Sequence, residues 1–278
     1  MNDKSVDQES QKARAAALSS ELEKAISLHE KTIPIILPFL SVILNVVAII
    51  GLVLMVTSNP LSNYNISYID TINEDYYNYR TTDTTTVTTT IWFIIMSILS
   101  IIALIYLIYR WIDTRNRHFD RTTKLYSLIT EIIEVIGLDR AYIIKSRLNE
   151  LMIVNDDMKN KALHMILGAI IPFYMLYIMH FMSKDLAKHS QTEKLILAEI
   201  IDSLKGTDPL FAKNIHDYKT IEEKSTFLYI ILGIITLGIF MLYWAYAITK
   251  SYNTHILNHR VIDYEILQSL RRVAPIAN

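Results

Sequence analysis

The chain contains no cysteine, and this absence removes several kinds of chemistry at once. Disulfide bonds, thiolate nucleophiles and cysteine-ligated metals are all excluded. Glycine is scarce as well: only six are present, widely scattered, so no glycine-rich loop for a nucleotide phosphate can form. The net charge of −1 gives no overall attraction to nucleic acid. We therefore expect no nucleic-acid partner and no enzyme activity.

Long apolar sequence is what the chain does contain. Of its 278 residues, 51% are hydrophobic, and the mean hydropathy is +0.26 although 20% of the residues are charged. The apolar residues are concentrated in four stretches, at 34–56, 91–112, 163–182 and 226–248. Each has about the 20 residues that a helix needs to cross a bilayer. The sequence therefore predicts an all-α integral membrane protein.

The distribution of lysine and arginine predicts the orientation of the chain. Residues 1–33 contain five basic residues, 58–90 contain only Arg80, and 113–162 contain nine. Since basic loops stay inside, we predict a plasma-membrane protein with a cytoplasmic N-terminus, an external loop at 58–90 and cytoplasmic helices at 113–162. Four full spans would then put the seven lysines of 183–225 outside, against the rule.

Breaks in the last two apolar stretches offer a way out of this conflict. Gly168 and Pro172 interrupt the third stretch, and Thr236 and Gly238 interrupt the fourth. Proline removes a backbone donor, and glycine costs about 1 kcal/mol in a helix interior. Each half, of about ten residues, would rise roughly 15 Å, half of the hydrocarbon core. Two interpretations stay open: kinked full spans, or re-entrant hairpins that return the linker 183–225 to the cytoplasm.

A tyrosine pattern predicts an internal repeat. A Tyr-x-x-Tyr pair lies near the end of three apolar stretches, at intervals of 68 and 69 residues, and each pair leads into a long polar helix. The alternative is an aromatic belt at the membrane boundary, which needs no shared origin. The six residues are Tyr106, Tyr109, Tyr174, Tyr177, Tyr243 and Tyr246.

The segment 236–246 reads Thr-Leu-Gly-Ile-Phe-Met-Leu-Tyr-Trp-Ala-Tyr. It resembles the hallmark of a broad prokaryotic family of small multi-pass membrane proteins of unknown function. The resemblance implies a membrane location and supplies no catalytic residue. The third stretch departs from it, because Ile170-Ile171-Pro172-Phe173 stands where Thr-Leu-Gly would be.

The polar segments 1–33, 113–162, 183–225 and 249–278 carry apolar residues at helical spacing. We expect these stripes to pack on one another as a cytoplasmic helical bundle, with Ile132 and Ile200 buried. The alternative is that the stripes bind other subunits.

The external loop differs from the rest of the chain. Asn65-Ile66-Ser67 fits the N-glycosylation pattern, so Asn65 is a glycosylation candidate. Tyrosines and the run Thr84–Thr90 favour strands and predict a short β-hairpin there.

Three histidines follow the tyrosine repeat. His118 and His255 lie nine residues after the second tyrosine of a pair, and His189 lies one turn beyond the equivalent position. Such residues could converge on one site, but boundary histidines are more typical as interfacial polar groups. We therefore assign no metal ligand, no cofactor and no catalytic residue.

These observations predict a non-catalytic integral membrane subunit or scaffold. Its partners would be the lipid bilayer and other membrane subunits or further copies of the chain. The alternative is a channel or transporter built from re-entrant hairpins.

Overall fold

The computed structural model describes residues 3–28, 30–58, 84–171 and 173–274, and within these ranges it contains helices and no strand. The helices are α1 (Asp3–Ser27), α2 (Leu37–Ser58), α3 (Thr84–Ile136), α4 (Ala141–Asn155), α5 (Lys161–Ile170), α6 (Tyr174–Thr207), a 3-10 turn at Ile215–Asp217, α7 (Thr226–Ile235) and α8 (Ile239–Val273). The predicted all-α class is confirmed for the described residues.

The chain divides into two compact units. One, which we call the apolar pair, covers residues 36–107 and consists of α2 and the first part of α3. The other, the bundle, comprises residues 1–35 and 108–278. Helix α3 is continuous across the boundary between the two units. Its sequence is apolar in the first part and amphipathic in the second.

The apolar pair is an antiparallel pair of helices. Asn45 of α2 donates to the Ser100 hydroxyl at 2.8 Å, and Ser100 donates to the Ser41 carbonyl at 3.0 Å. Further along, Gly51 lies so close to Trp92 that an added Cβ would stand 2.4 Å from the indole nitrogen. Both helices are long and apolar enough to cross a membrane, and only 17% and 22% of their most apolar windows are buried. Core helices of soluble proteins are mostly buried, so this exposure favours contact with lipid.

The third and fourth apolar stretches are both interrupted helices. Asn160 and Ser225 cap α5 and α7 by accepting from the backbone amides of Leu163 and Leu228, respectively. Each capped helix is ten residues long and is followed by a left-handed residue, Phe173 in one and Gly238 in the other. That residue is the N-cap of the long helix that follows.

Each short helix folds back along the long helix that follows it. His164 on α5 contacts the Tyr174 hydroxyl on α6 at 2.8 Å. Tyr229 on α7 packs edge-on against Trp244 of α8, with ring centroids 5.2 Å apart. The two broken stretches are therefore helical hairpins, with the α7–α8 turn at Thr236–Gly238 and the α5–α6 turn after Ile170. Pro172 itself lies outside the described residues.

The predicted β-hairpin in the external loop is wrong where it can be compared with the structure. Thr84–Thr90 form the first turns of α3. They directly precede the apolar run that follows, and continuing that helix overrides the weak strand preference of threonine. Residues 59–83, with the glycosylation candidate Asn65, lie outside the described residues.

The bundle has a continuous apolar core. Ile132 of α3 and Ile200 of α6 are both fully buried, so the prediction for these two residues is confirmed. The stripes pack within one chain, as Leu22 of α1, Ile144 of α4 and Ile266 of α8 belong to the same core. This core holds the polar halves of α3, α6 and α8 side by side.

Candidate functional site

Four histidines from three helices meet inside the bundle. They are His118 of α3, His189 of α6, and His255 and His259 of α8, and none is more than 3% exposed. One ring nitrogen from each lies within 4.8 Å of the ring nitrogens of the others. His255 and His259 are four residues apart and so project from the same face of α8. The expectation that such histidines are interfacial polar groups is therefore wrong, because the convergence of α3, α6 and α8 buries them.

The Nδ1 atoms of three of these rings point to oxygen atoms around the centre. His118 Nδ1 lies 2.9 Å from a Glu30 carboxylate oxygen, and His189 Nδ1 lies 2.7 Å from the Asn155 amide oxygen. His259 Nδ1 lies 3.5 Å from an Asp263 carboxylate oxygen. At His118 and His189 such an oxygen acceptor favours the tautomer with the proton on Nδ1, which leaves a lone pair on Nε2.

The Glu193 carboxylate lies among the Nε2 atoms. Glu193 of α6 is fully buried, and its carboxylate lies 2.9 Å from His259 Nε2 and 3.3 Å from His255 Nε2. His189 Nε2 is 3.7 Å away from it, and the Nε2 atoms of His255 and His259 are 3.3 Å apart. Four imidazoles and one carboxylate therefore face a common point.

Two tyrosines hold Glu193 in place. The Tyr126 hydroxyl of α3 donates to one oxygen at 3.0 Å, and the Tyr218 hydroxyl donates to the other. A buried carboxylate is costly unless its oxygens are hydrogen-bonded and its charge is compensated. The tyrosines meet the first need, and the second falls to the histidines.

The electrostatics of the centre separate the histidines. Burial holds the pKa of His189 and of His255 well below the usual histidine value. Burial alone would lower the pKa of His259 too, but the Glu193 carboxylate raises it to about 10. Burial would raise the pKa of Glu193, yet the nearby His259 lowers it to about 2. The centre thus contains one ion pair and two basic nitrogens that stay neutral.

We call the oxygens of Glu30, Asn155 and Asp263 that face the Nδ1 atoms the outer oxygens, and further polar groups lie around them. Arg121 of α3 lies 3.2 Å from Asp263 and 3.9 Å from Glu30. Arg260 donates to the Glu30 carbonyl at 2.7 Å, while Asn253 pairs with both the amide and the carbonyl of Ile33, each at 2.8 Å. The segment after α1 is thereby tied to α8, which places the Glu30 carboxylate at His118.

Several buried polar atoms of the centre make no hydrogen bond within the described residues. They are His118 Nε2, His189 Nε2 and Asp263 Oδ1. A buried polar atom without a partner costs about 1–3 kcal/mol, so three in one cluster require an explanation.

The centre has no open route for a substrate among the described cavities. The largest of these, about 440 Å³, is lined by Glu30 and Arg121 and by other residues of α1 and α3. None of the four histidines lines it. The histidine rings are therefore shielded from the described cavities, although Glu30, Asn155 and Tyr218 at the edge of the centre each line one.

The tyrosines singled out by the repeat do not converge on this centre. Tyr174 and Tyr177 pack against His164, Tyr243 packs against Phe240, and Tyr246 lies beside Lys250. Tyr106 is half exposed. Tyr109 lies near Lys161, whose ammonium is 5.6 Å from its ring centroid.

The hairpins themselves suggest a different register for the repeat. Three features recur 65 residues apart: the caps Asn160 and Ser225, the glycines Gly168 and Gly233, and the left-handed residues Phe173 and Gly238. Tyr174 is the first residue of α6, whereas Tyr243 is the fifth of α8. Relative to the hairpins, the second tyrosine pair is thus displaced by about one helical turn from the first. A shared origin of the two hairpin units, α5–α6 and α7–α8, stays a prediction.

The sequence contained a signal for three of the four histidines in their spacing from the tyrosine pairs. It contained none for Glu30 or Asn155, since these oxygens reach the rings only through packing between segments distant in sequence. Asp263 lies one turn after His259 on α8, but this spacing alone did not mark it. Glu193 lies one turn after His189, but an acidic residue in a polar helix is commonplace.

Comparison with known families identifies a similarity in the last part of the chain. A family described as a domain of unknown function, DUF4234, matches residues 224–270. The matched segment covers α7, most of α8, the Thr236–Tyr246 run and both His255 and His259. No curated protein and no solved structure matches the chain.

Proposed function

We propose that this protein is a non-catalytic integral membrane subunit, in which an apolar helix pair anchors a helical bundle organised around the histidine–carboxylate centre. The observation that carries the proposal is the closure of that centre. His189, Glu193 and Asp263 are fully buried, and no described cavity reaches the histidines. A group that no substrate reaches acts by holding helices together.

The membrane part of the proposal is supported by composition and exposure. The most apolar parts of α2 and α3 are largely exposed, and the first two apolar stretches are joined through the loop with a single basic residue. We assign the N-terminus and the bundle to the cytoplasm and the loop 58–90 to the outside of the plasma membrane. The family match at 224–270 covers the fourth apolar stretch and names no activity, so it leaves the membrane role open to test.

The hairpins fit re-entry better than full spanning. Helices α4, α6 and α8 share one core, so the residues that follow each hairpin pack with those of 141–155. Both ends of a hairpin then lie on the basic side, which removes the conflict over the seven lysines of 183–225. Ten-residue helices reach about halfway into the hydrocarbon core.

Cysteine labelling tests this topology, because the chain has no cysteine of its own. Single cysteines replace Thr85, Lys145 and Lys205 in intact cells treated with an impermeant thiol reagent. We expect labelling at position 85 and protection at 145 and 205 until the cells are lysed. Labelling of 205 from outside, with 145 protected, would establish four full spans.

Membrane extraction and migration in detergent test the proposed role as a membrane subunit. The chain should stay in the membrane pellet after alkaline carbonate treatment, and it should migrate in mild detergent as a complex larger than the monomer. Release by carbonate, or migration as a monomer in every mild detergent, would contradict the subunit role.

A channel or transporter is the second candidate, because the left-handed turn at Gly238 interrupts an apolar stretch, as in the broken helices of many transporters. Ion flux into proteoliposomes that exceeds empty controls would favour it.

A further inference from the structure

We propose that the four histidines bind one divalent first-row transition metal ion, with Glu193 as the carboxylate at the same site. The proposal rests on the geometry of the centre and does not depend on the membrane role. It treats the cluster as a coordination site whose donors, outer oxygens and charge are already arranged.

The donor atoms are spaced as metal ligands. In a tetrahedral zinc site with bonds of about 2.0–2.1 Å, neighbouring nitrogens lie about 3.3–3.4 Å apart. The Nε2 atoms of His255 and His259 are 3.3 Å apart. The remaining donors lie within 4.8 Å of one another, so the site closes on an ion by small shifts of His118 and His189.

The outer oxygens match the pattern found around metal-bound histidines. Such rings almost always give their second ring proton to a carboxylate, an amide or a carbonyl, which fixes the ring and its tautomer. Here Glu30, Asn155 and Asp263 lie at the Nδ1 atoms of His118, His189 and His259. Three different segments supply these oxygens. The Nε2 lone pairs of His118 and His189 are directed away from Glu30 and Asn155, and an ion reaches His259 Nε2 by displacing the proton that it gives to Glu193.

A metal ion would also explain the unpartnered nitrogens. His118 Nε2 and His189 Nε2 are buried and make no hydrogen bond among the described residues. A lone pair held in a dry interior, with its opposite nitrogen already bonded, is suited to coordinate a cation. The alternative is a metal-free polar core, which leaves these two nitrogens without a bonding partner among the described residues.

The charge of the shell matches a divalent ion. Glu30, Glu193 and Asp263 supply three negative charges, and Arg121 supplies one positive charge close to two of them. Binding of the ion displaces the proton of His259, so all four imidazoles are then neutral. Two negative charges remain in excess, which one divalent cation balances. A monovalent or trivalent ion would leave a charge in a buried site, and this is costly.

The chemistry of the donors selects the class of metal. Imidazole nitrogen suits zinc, iron, cobalt, nickel and copper, whereas calcium and magnesium take oxygen ligands. The chain contains no cysteine to favour soft ions such as Cu(I). Five available donors with no open face suit a site that holds its ion for structural purposes.

The experiment measures metal on the purified full chain in detergent, isolated without a histidine tag. The protein is stripped with a chelator, loaded with Zn²⁺ or Co²⁺, desalted and analysed by mass spectrometry for metal content. We expect close to one ion per chain, a visible absorption spectrum of nitrogen-coordinated Co²⁺, and a thermal midpoint that rises with free metal concentration.

Variants assign the ion to the centre. The double variant His255→Gln/His259→Gln should lose the bound ion and the cobalt spectrum. His164→Gln, a buried histidine outside the centre, and His216→Gln, an exposed one, should bind as the parent does. Should the double variant fail to fold, Glu30→Ala keeps the test decisive, since loss of an outer oxygen weakens metal binding by about 10–100-fold.

Two outcomes would overturn the proposal. One is a folded parent protein that retains no ion after loading, which would identify the cluster as a protonated polar core. The other is equal metal retention by the parent and by the folded double variant. Either result leaves the membrane role untouched, because the measurement uses the isolated chain and involves no partner or vesicle.

Discussion

The left-handed position at the tip of the α7–α8 hairpin is filled by Gly238, and at the tip of the α5–α6 hairpin it is filled by Phe173. Glycine adopts this conformation freely, whereas an ordinary residue pays about 1–2 kcal/mol. The α7–α8 tip has a strained residue of its own, because Leu237 has φ 50, so the tips differ only in which residue fills the position before the long helix. Other contacts hold the α5–α6 hairpin, such as the one between His164 and Tyr174.

The two hairpin units, α5–α6 and α7–α8, also contribute unequally to the polar centre. Helix α6 contributes His189 and the carboxylate Glu193, while α8 contributes two histidines and Asp263. Each long helix therefore brings groups that are costly to bury without the other. The comparison implies that neither unit is stable with a polar interior of its own.

Removing the charge that α6 contributes should have the largest effect. Glu193→Ala leaves the Tyr126 and Tyr218 hydroxyls and the His259 imidazole without their acceptor. Breaking a buried charge pair costs about 3–5 kcal/mol, so we expect a loss of that size in the free energy of unfolding. Denaturant unfolding in detergent, followed by circular dichroism, measures it.

Glu199→Ala is the matched control on the same helix. Glu199 pairs with the half-exposed Arg140 at the surface, so its loss should cost less than about 1 kcal/mol. Equal effects of the two substitutions would show that the buried centre adds nothing to stability.

Buried apolar side chains of α6 and α8 should contribute equally to stability. Ile200 of α6 and Ile266 of α8 are both fully buried in one core, so each truncation to alanine should cost about 2–5 kcal/mol. The thermal midpoint of the detergent-solubilised protein reports both. An unchanged midpoint for Ile200→Ala alone would mean that this face of α6 awaits another partner.

Acidification should weaken the hydrogen bonds that connect the end of α6 to α8. The Asp208 carboxylate at the end of α6 accepts from Arg272 at 2.9 Å and from Ser269 at 2.7 Å, both of α8. The hydrogen bond from Arg272 lowers the pKa of Asp208 below its usual value. Its contribution, about 1.5–3 kcal/mol for charge-assisted hydrogen bonds, is present above pH about 4 and is lost as the pH falls through the lowered pKa.

Asp208→Asn tests this assignment. The variant should be less stable than the parent at neutral pH, and the difference should shrink as the pH falls below about 4. A stability difference that stays constant across that range would contradict the role of the Asp208 charge.

The smallest expected effects sharpen the comparison of the two tips. Gly238→Ala should cost about 1–2 kcal/mol, since nothing lies near an added Cβ and only the left-handed backbone opposes it. Phe173→Gly should be nearly neutral, because relief of strain offsets the greater freedom of glycine in the unfolded chain. A larger loss for Phe173→Gly than for Gly238→Ala in parallel thermal scans would show that the Phe173 side chain holds its hairpin.

Much of the fold could be predicted because it depends on local pattern. Helical periodicity predicted the buried faces that contain Ile132 and Ile200, and Gly238 marked one hairpin tip. The other tip was harder, since a phenylalanine gives no local sign of a left-handed backbone. Thr84–Thr90 were misjudged because their intrinsic preference is weaker than the helix that they extend.

The histidine–carboxylate centre could be predicted only in part, for a physical reason. The tyrosine spacing connected His118, His189 and His255, but their burial depends on how far three long helices approach one another. Glu30 reaches His118 only because Asn253 and Arg260 tie its segment to α8. Such contacts between distant segments leave no periodic trace in one sequence.

The order in which the centre's donors leave the ribosome has a consequence for biosynthesis. His118 emerges long before His255 and His259, which lie near the end of the chain. At about 5–20 residues per second, roughly 7–27 s separate the first imidazole from the last two. Until then Glu193 stands without its α8 counterions, so a nascent chain exposes an unfinished core for chaperones or proteases to recognise. Closure of the centre therefore waits until α8 has been synthesised.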